Sequence, residues 1–188
     1  KQGIGSYILY HGNLSVAENE EAACYLIENI FNEIKLPFVI AGLNPGNKLK
    51  TLTAKYQHIK LIENPDEQKM QELINEAQIN ILLTFQETGL KLKLLNTLYI
   101  GRYCLVNSKM LAGTNLHELC LIADNNEVIK NKINKTFLAK SFVDIFGDTE
   151  IKVQDCLNVG CLDLNFDNII LGDSSNKISL IDYEWTFY

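Results

Sequence analysis

Between Glu87 and Asn96 the chain reads ETGLKLKLLN, which sets a carboxylate, a hydroxyl, a glycine, two lysines and a carboxamide in one short stretch. Lysines beside the free amides of a helix N-terminus suit a diphosphate, because the helix dipole and the unpaired N–H groups both favour negative charge. Glu87, Thr88 and Asn96 carry the acceptors and donors that ribose and hexose hydroxyls need. A second group, Gly12 and Asn13, follows the first apolar run, where a glycine lets backbone approach a ligand. Each has an ordinary alternative: Lys91 and Lys93 as solvated helix lysines, with Lys91 the better candidate for phosphate, and Gly12 and Gly89 as plain turn residues. His11 reads as a strand-end residue and His58 and His117 as structural or surface groups, none in a metal-ligand spacing.

These residues need elements to position them. Asn80 to Thr84 is a short apolar run, the turn Phe85 to Gly89 follows, Leu92, Leu95 and Leu98 recur at helical spacing, and Tyr103 to Val106 is apolar again. That is a strand-turn-helix-strand unit. Upstream, Tyr7 to Tyr10 reads as a strand, and Ser15 as the N-cap of a helix to Ile34 that buries Ala23, Leu26, Ile27, Ile30, Phe31 and Ile34. Phe38 to Ala41 is a second strand, closed by Asn44-Pro45-Gly46 and followed by a short helix to about Tyr56. His58 to Ile62 is a third strand, and Pro65 and Asp66 open a helix to about Ala77. Leu119 to Ala123 is apolar, and Asn125 to about Lys140 reads as a polar helix. Strands and helices in strict alternation imply an α/β fold, a doubly wound parallel Rossmann-like sheet. Ligands of such sheets bind beyond the carboxyl ends of the strands, which is where the turn 85–89 falls.

Composition narrows the function classes. The chain has 188 residues, 47% of them apolar, enough to bury a core. A formal net charge of -6 opposes a broad basic surface, so sequence-independent nucleic-acid binding is not expected. No apolar run nears the roughly 20 residues that cross a bilayer, and the start shows no signal peptide. The five cysteines, Cys24, Cys104, Cys120, Cys156 and Cys161, make no C-x-x-C pair and read as reduced thiols of a cytosolic protein. The chain opens at Lys1 a few residues before its first strand, as a piece of a longer protein would.

From Tyr7 to Phe137, about two-thirds of its length, the chain resembles the C-terminal, donor-binding half of a GT-B glycosyltransferase of the group 1, family 4-like, bacterial kind. The likeness rests on YHGNLS, FVIAGLNPG, HIKLIENPDEQKMQELINEAQINILLTF and TGLKLKLLNTLYIGRYCLVN. Members hold the donor's sugar and ribose with two glutamates in E-G-F-G-L-x-x-L-E, and aligning on Gly101 sets Thr88 and Asn96 at those positions, with Glu87 one residue out of register. The resemblance implies that Gly12, Asn13, Glu87, Thr88, Gly89, Lys91 and Asn96 bind a UDP- or GDP-linked sugar. It implies transfer of a hexose to a glycan or lipid-linked acceptor in cell-surface polysaccharide synthesis, in the cytoplasm or peripheral to the inner membrane. The acceptor site and catalytic base would come from a missing N-terminal half, so the catalytic residue is not identified and the chain alone is expected to be inactive. No resident cofactor is expected.

The tail carries a second likeness. Cys161 to Tyr188 reads CLDLNFDNIILGDSSNKISLIDYEWTFY, similar to the catalytic and metal segments of kinase-like phosphotransferases, D-x-x-x-x-N and then the Asp of a D-F-G-type element. That alternative implies Asp163 as catalytic base and Asn168 and Asp182 as Mg²⁺ ligands. A Gly-rich phosphate loop and a paired strand lysine have no counterpart upstream, so an appended β-hairpin with surface acids is the preferred reading, or a remnant serving as scaffold or interaction module. The expected organisation is a nucleotide-sugar-binding domain over 1–140 and an incomplete kinase-like segment over 141–188.

Overall fold

Six parallel strands build one sheet in the order β3-β2-β1-β4-β5-β6, numbered along the chain. The computed structural model describes residues 4–86 and 91–146, with side chains through 137. The strands are β1 (Ile8–Asn13), β2 (Phe38–Leu43), β3 (Ile59–Glu63), β4 (Ile79–Leu82), β5 (Tyr103–Val106) and β6 (Leu121–Ile122). Helices α1 (Ala17–Leu26), α2 (Asn47–Thr53), α3 (Glu67–Glu76) and α4 (Leu92–Ile100) alternate with the first five strands, two short 3-10 turns join β5 to β6, and α5 (Asn126–Phe146) follows β6. The doubly wound parallel sheet is therefore the observed fold. The expected hairpin appendage over 147–188 lies outside the described residues, and the expected boundary at 140 falls within α5.

Strand side chains alternate between two cores, as a pleat with both faces covered requires. Ile8, Tyr10, Phe38, Ile40, Ile79, Ile81 and Leu105 face one core, with Leu26, Ile27, Ile30, Phe31 and the α5 residues Ile129, Ile133 and Phe137. Leu9, Val39 and Ala41 face the other, against Leu73, Ile74 and Ala77 of α3 and its C-terminus. Leu82, Cys104 and Val106 continue that face beneath Leu94 of α4. Phe31 stacks on Phe38 with ring centroids 3.8 Å apart, joining the end of the first helix to β2.

Several boundaries differ from the sequence expectation for identifiable reasons. Ser15 does not cap the first helix: Val16 holds that position, and Asn13 Oδ1 accepts from the Ser15 amide at 3.1 Å and hydroxyl at 2.7 Å. The helix to Ile34 ends in a π turn, Ile27–Phe31, which keeps the expected apolar face buried while widening the last turn. Asp66 caps α3 by accepting from the Lys69 amide at 2.7 Å. The leucine spacing in α4 misleads most. Leu94 and Thr97 are buried, whereas Leu92 is 77% and Tyr99 90% exposed, so the stripe through Leu92 and Leu95 faces outward. A tight approach sets this rotation, since a Cβ on Gly101 would lie 2.6 Å from the Thr97 carbonyl and 2.7 Å from Asn80 Nδ2.

Cys24, Cys104 and Cys120 are free thiols, and Cys104 and Cys120 hydrogen-bond to each other across β5 and the start of β6. No helix among the described residues is long and apolar enough to cross a membrane.

Two glycines on adjacent strands give opposite expectations. A Cβ on Gly42 would sit 1.9 Å from the Gly12 carbonyl and 2.8 Å from Leu14 Cγ, whereas the atoms nearest to one on Gly12 belong to the Asn19 side chain, at an ordinary 3.4 Å or more. Gly42→Ala is expected to destabilise the fold by roughly 2 kcal/mol or more, and Gly12→Ala to change it little, both read from urea midpoints at constant m-value.

Candidate functional site

β1 and β4 are neighbours in the sheet, but the chain leaves β1 toward β2 and β4 toward β5, so the loops beyond their carboxyl ends part. The crevice between those loops gathers side chains from β1, α1, the turn after β4 and α4. Glu18, on the first turn of α1, reaches across it. One of its oxygens, Oε1, accepts from the Thr84 hydroxyl, the Phe85 amide at 3.1 Å and the Gln86 amide at 3.3 Å. Burial pushes the Glu18 carboxyl up, but these hydrogen bonds and the nearby Lys91 outweigh it and hold the group below the usual carboxylate range.

Lys93 enters the same crevice from α4. Its Nζ lies 2.9 Å from Asn19 Oδ1 and 5.6 Å from the centroid of the Tyr10 ring. Burial lowers its pKa from 10.5 to about 8, with Glu18 opposing the shift and Lys91 adding to it. Tyr10 is itself fully buried and donates its hydroxyl to the Asn19 carbonyl at 2.9 Å. Lys93 was expected to be the solvated member of the lysine pair; the rotation of α4 instead turns it inward. Lys91, expected inside the helix, stands at its N-cap position with extended backbone.

Beside β1 a cleft of about 260 Å³ runs along the sheet's carboxyl edge. Gly12, Asn13, Gly42 and Asn96 line it together with Met70 and Ile74 of α3, so three of the expected site residues, Gly12, Asn13 and Asn96, share one wall. Among the described residues the charged groups on this cleft are Asp66 and Glu67, and no lysine or arginine lines it. Asp66 is already engaged as the α3 cap. The site is thus divided into an uncharged to acidic cleft and a crevice holding two lysines.

His11 is not at a strand end but within β1, 4% exposed, its Nε2 2.9 Å from Thr97 Oγ1. Burial and then Lys93 drive its pKa from 6.5 down to about 3, so it is neutral at ordinary pH and ties β1 to α4. His58 Nε2 contacts the Phe31 carbonyl at 2.8 Å, a structural role. Glu87, Thr88 and Gly89 lie outside the described residues, as do Asp163, Asn168 and Asp182 of the kinase-like alternative. Among the described residues no three His, Cys, Asp or Glu side chains cluster to hold a metal. Sequence reasoning missed Glu18 and Asn19, whose one signal was their place on the first turn of the helix that follows β1.

No family model matches the chain, and no curated protein matches its sequence. Solved structures do. An α,α-trehalose-phosphate synthase (UDP-forming) from Burkholderia xenovorans, in complex with glucose-6-phosphate, superimposes with a TM-score of 0.52 at 12% identity, over 70% of this chain and 35% of that one. A trehalose-6-phosphate synthase, OtsA, gives 0.53 at 11% identity, over 71% and 36%. The Escherichia coli enzyme bound with UDP-2-fluoro glucose gives 0.52 at 9% identity, over 71% and 36%. At these identities the likeness concerns the fold: the sheet and its helices share the arrangement of one part of these synthases. The chain spans little more than a third of the length of these structures.

The lowered pKa of Lys93 has a signed consequence. A lysine that ionises at about 8 when folded and 10.5 when unfolded weakens the fold below pH 8, and the penalty fades as pH rises from 8 toward 10.5, because there the unfolded state binds the extra proton. Lys93→Met is therefore expected to be more stable than the parent at pH 7, by about 2 kcal/mol, with the gap closing near pH 10. Paired urea titrations at the two pH values measure it, and a gap that does not depend on pH removes the buried charge as its cause.

Proposed function

We propose that this chain binds the nucleotide-sugar donor of a glycosyltransferase and serves the transfer of a hexose to a glycan or lipid-linked acceptor in cell-surface polysaccharide synthesis. The observation that carries the reading is the divided site at the switch point, an uncharged to acidic cleft lined by Gly12, Asn13 and Asn96 beside a crevice holding Lys93 and Lys91. A nucleoside diphosphate is divided in the same way. Its neutral nucleoside suits the cleft, where the Asn96 carboxamide offers a donor and an acceptor to ribose hydroxyls and Gly12 lets the ring approach backbone. Its phosphates suit the lysines, to which a charge-assisted hydrogen bond is worth about 1.5–3 kcal/mol. Glu87, Thr88 and Gly89 are proposed for the sugar, next along the chain from the Thr84–Gln86 turn.

Glycosyl transfer also needs an acceptor pocket and a base held against the reacting carbon. In this reading both come from a second, N-terminal half, and the donor-binding half works in the cytoplasm or against the inner membrane. The solved structures of similar fold support it: one holds UDP-2-fluoro glucose, and another is of an enzyme named UDP-forming.

A thermal-shift screen of UDP, GDP and their sugars tests the reading, since ligand at a hundred times its dissociation constant adds about 2.7 kcal/mol of stability. UDP or GDP is expected to raise the melting temperature. Lys93→Ala is expected to remove most of that shift, Lys91→Ala a part of it, and Asn96→Ala to weaken nucleosides and nucleotides alike. ATP with Mg²⁺ is the control for the kinase-like alternative: a shift that only ATP-Mg²⁺ produces, lost in Asp182→Asn, rejects the donor reading.

The same preparation should bind nucleotide yet transfer no sugar, because in this reading half of the positioning groups belong to the second, N-terminal half. Turnover of a UDP- or GDP-hexose by the purified chain, followed as release of free nucleoside diphosphate, would show that this unit completes the site unaided.

A further inference from the structure

The Thr84–Gln86 turn presents one hydroxyl and two backbone amides to a single point, and the atom at that point is a carboxylate oxygen of Glu18. Three donors around one anionic oxygen is the arrangement that binds phosphate oxygens in backbone nests. The turn does not depend on Glu18 for its shape. Asn107 pairs both backbone groups of Thr84, accepting its amide at 3.3 Å and donating to its carbonyl at 2.7 Å. Lys109 Nζ donates to the Phe85 carbonyl at 3.2 Å, and the Phe85 ring sits edge-on to Tyr25 with centroids 5.6 Å apart. Four side chains other than Glu18's thus bear on the turn or are built into it, so its donors are preorganised.

The surrounding charge points the same way. Lys93 is half-buried, and it donates to the neutral Asn19; no carboxylate lies within ion-pair distance of it among the described residues. Lys91 also acts on the crevice, from the N-cap of α4. Glu18 is the carboxylate whose charge acts on Lys93 across the crevice, from the first turn of α1.

We propose that the Thr84–Gln86 turn is an anion-binding site that the protein fills with its own Glu18 carboxylate, and that a ligand phosphate enters by exchanging with it. The exchange keeps the donors paired at every stage, since either the carboxylate or a phosphate oxygen accepts from Thr84, Phe85 and Gln86. It also keeps the crevice lysines from facing an empty pocket. Its consequence is selective: a single unbranched carboxylate competes well against a weak or singly charged anion and poorly against a diphosphate that can also reach Lys93. Glu18 thereby sets a threshold on which anions enter, and it lowers the affinity of those that do. This step rests on the donor reading only for the origin of the phosphate; the exchange itself is a property of the turn.

Inorganic pyrophosphate and uridine separate the two. Both are titrated calorimetrically into the parent chain, Glu18→Gln and Glu18→Ala, each first shown by circular dichroism to melt cooperatively. Glu18→Gln keeps a neutral acceptor at the turn, and Glu18→Ala empties it, so a folding defect in one leaves the other to decide. Pyrophosphate is expected to bind the variants about tenfold more tightly than the parent, the effect of relieving roughly 1.4 kcal/mol of competition, while uridine binds all three alike. Equal or weaker pyrophosphate binding in the folded variants overturns the exchange and makes Glu18 a fixed brace of the turn. Absence of pyrophosphate binding from all three proteins overturns it as well. Uridine decides the donor reading independently, since failure of uridine with the pyrophosphate gain intact leaves the anion site standing without the nucleoside cleft.

Discussion

The pairing of the central strand governs this molecule. β1 is matched to β2 over six residues, from Ile8↔Phe38 to Asn13↔Leu43, but to β4 over only two, Ile8↔Ile79 and Leu9↔Asn80. Beyond Leu9 the two strands separate, and the sheet has a notch at its carboxyl edge where β1 and β4 send their chains to opposite sides. A notch between strands exposes backbone and polar side chains that a continuous sheet would cover, so something must satisfy them. His11 and Thr97 bridge it from one face, and Glu18 and the Thr84–Gln86 turn bridge it from the other. The close fit of Gly42 on the Gly12 carbonyl holds the intact side of the strand in register while the other side opens. Gly12, Asn13 and Asn96 lie on the cleft beside that notch, and Glu18 and Lys93 on its rim.

Charge inside the notch is arranged as a compensated set. Lys93 is buried deeply enough to lose part of its affinity for a proton, and His11 next to it is held neutral by the same burial and by that lysine. A buried cation without a counter-charge is costly, and here the compensation comes from Glu18 across the crevice and, more weakly, from the Tyr10 ring. The protein thus supplies an anion of its own to the crevice. It follows that removing a lysine and removing the carboxylate have opposite effects on the field in the crevice, which is why the two kinds of variant are informative together.

The fold was legible because alternating short apolar runs and polar helices leave few other solutions, and each expected strand from Tyr7 to Val106 appears within a few residues of its expected place. Gly12, Asn13 and Asn96 were legible as a group because a Rossmann-like sheet puts the residues after its first strand and in the helix after its fourth near one another. The helix face was not. α4 carries two leucine stripes, Leu92–Leu95 and Leu94–Leu98, and spacing alone cannot say which packs; the fit of Gly101 against Thr97 and Asn80 decides it and turns Lys93 inward. Glu18 was not legible either, since its partners lie 66 to 68 residues away and an acid on the first turn of a helix already has a local explanation in the helix dipole. His11 looked like the end of a strand for a similar reason, its partner Thr97 being 86 residues distant.

The rotation of α4 that buries Lys93 also leaves Leu92 and Tyr99 almost fully in solvent and Leu95 partly so, on the side of the helix away from the sheet. One helix thus couples two surfaces: turning it to cover its leucines would withdraw Lys93 from Asn19 and Tyr10, and with it the cation of the crevice. The fold resolves that conflict in favour of the crevice, holding the rotation with the buried His11–Thr97 hydrogen bond and the close packing at Gly101. Exposed apolar area is a hydration cost the chain bears in the unliganded state. A helix that bears that cost while its inner face carries a half-buried lysine favours the charge of the notch over a smoother surface, which is how a site, rather than a core, is expected to shape a helix.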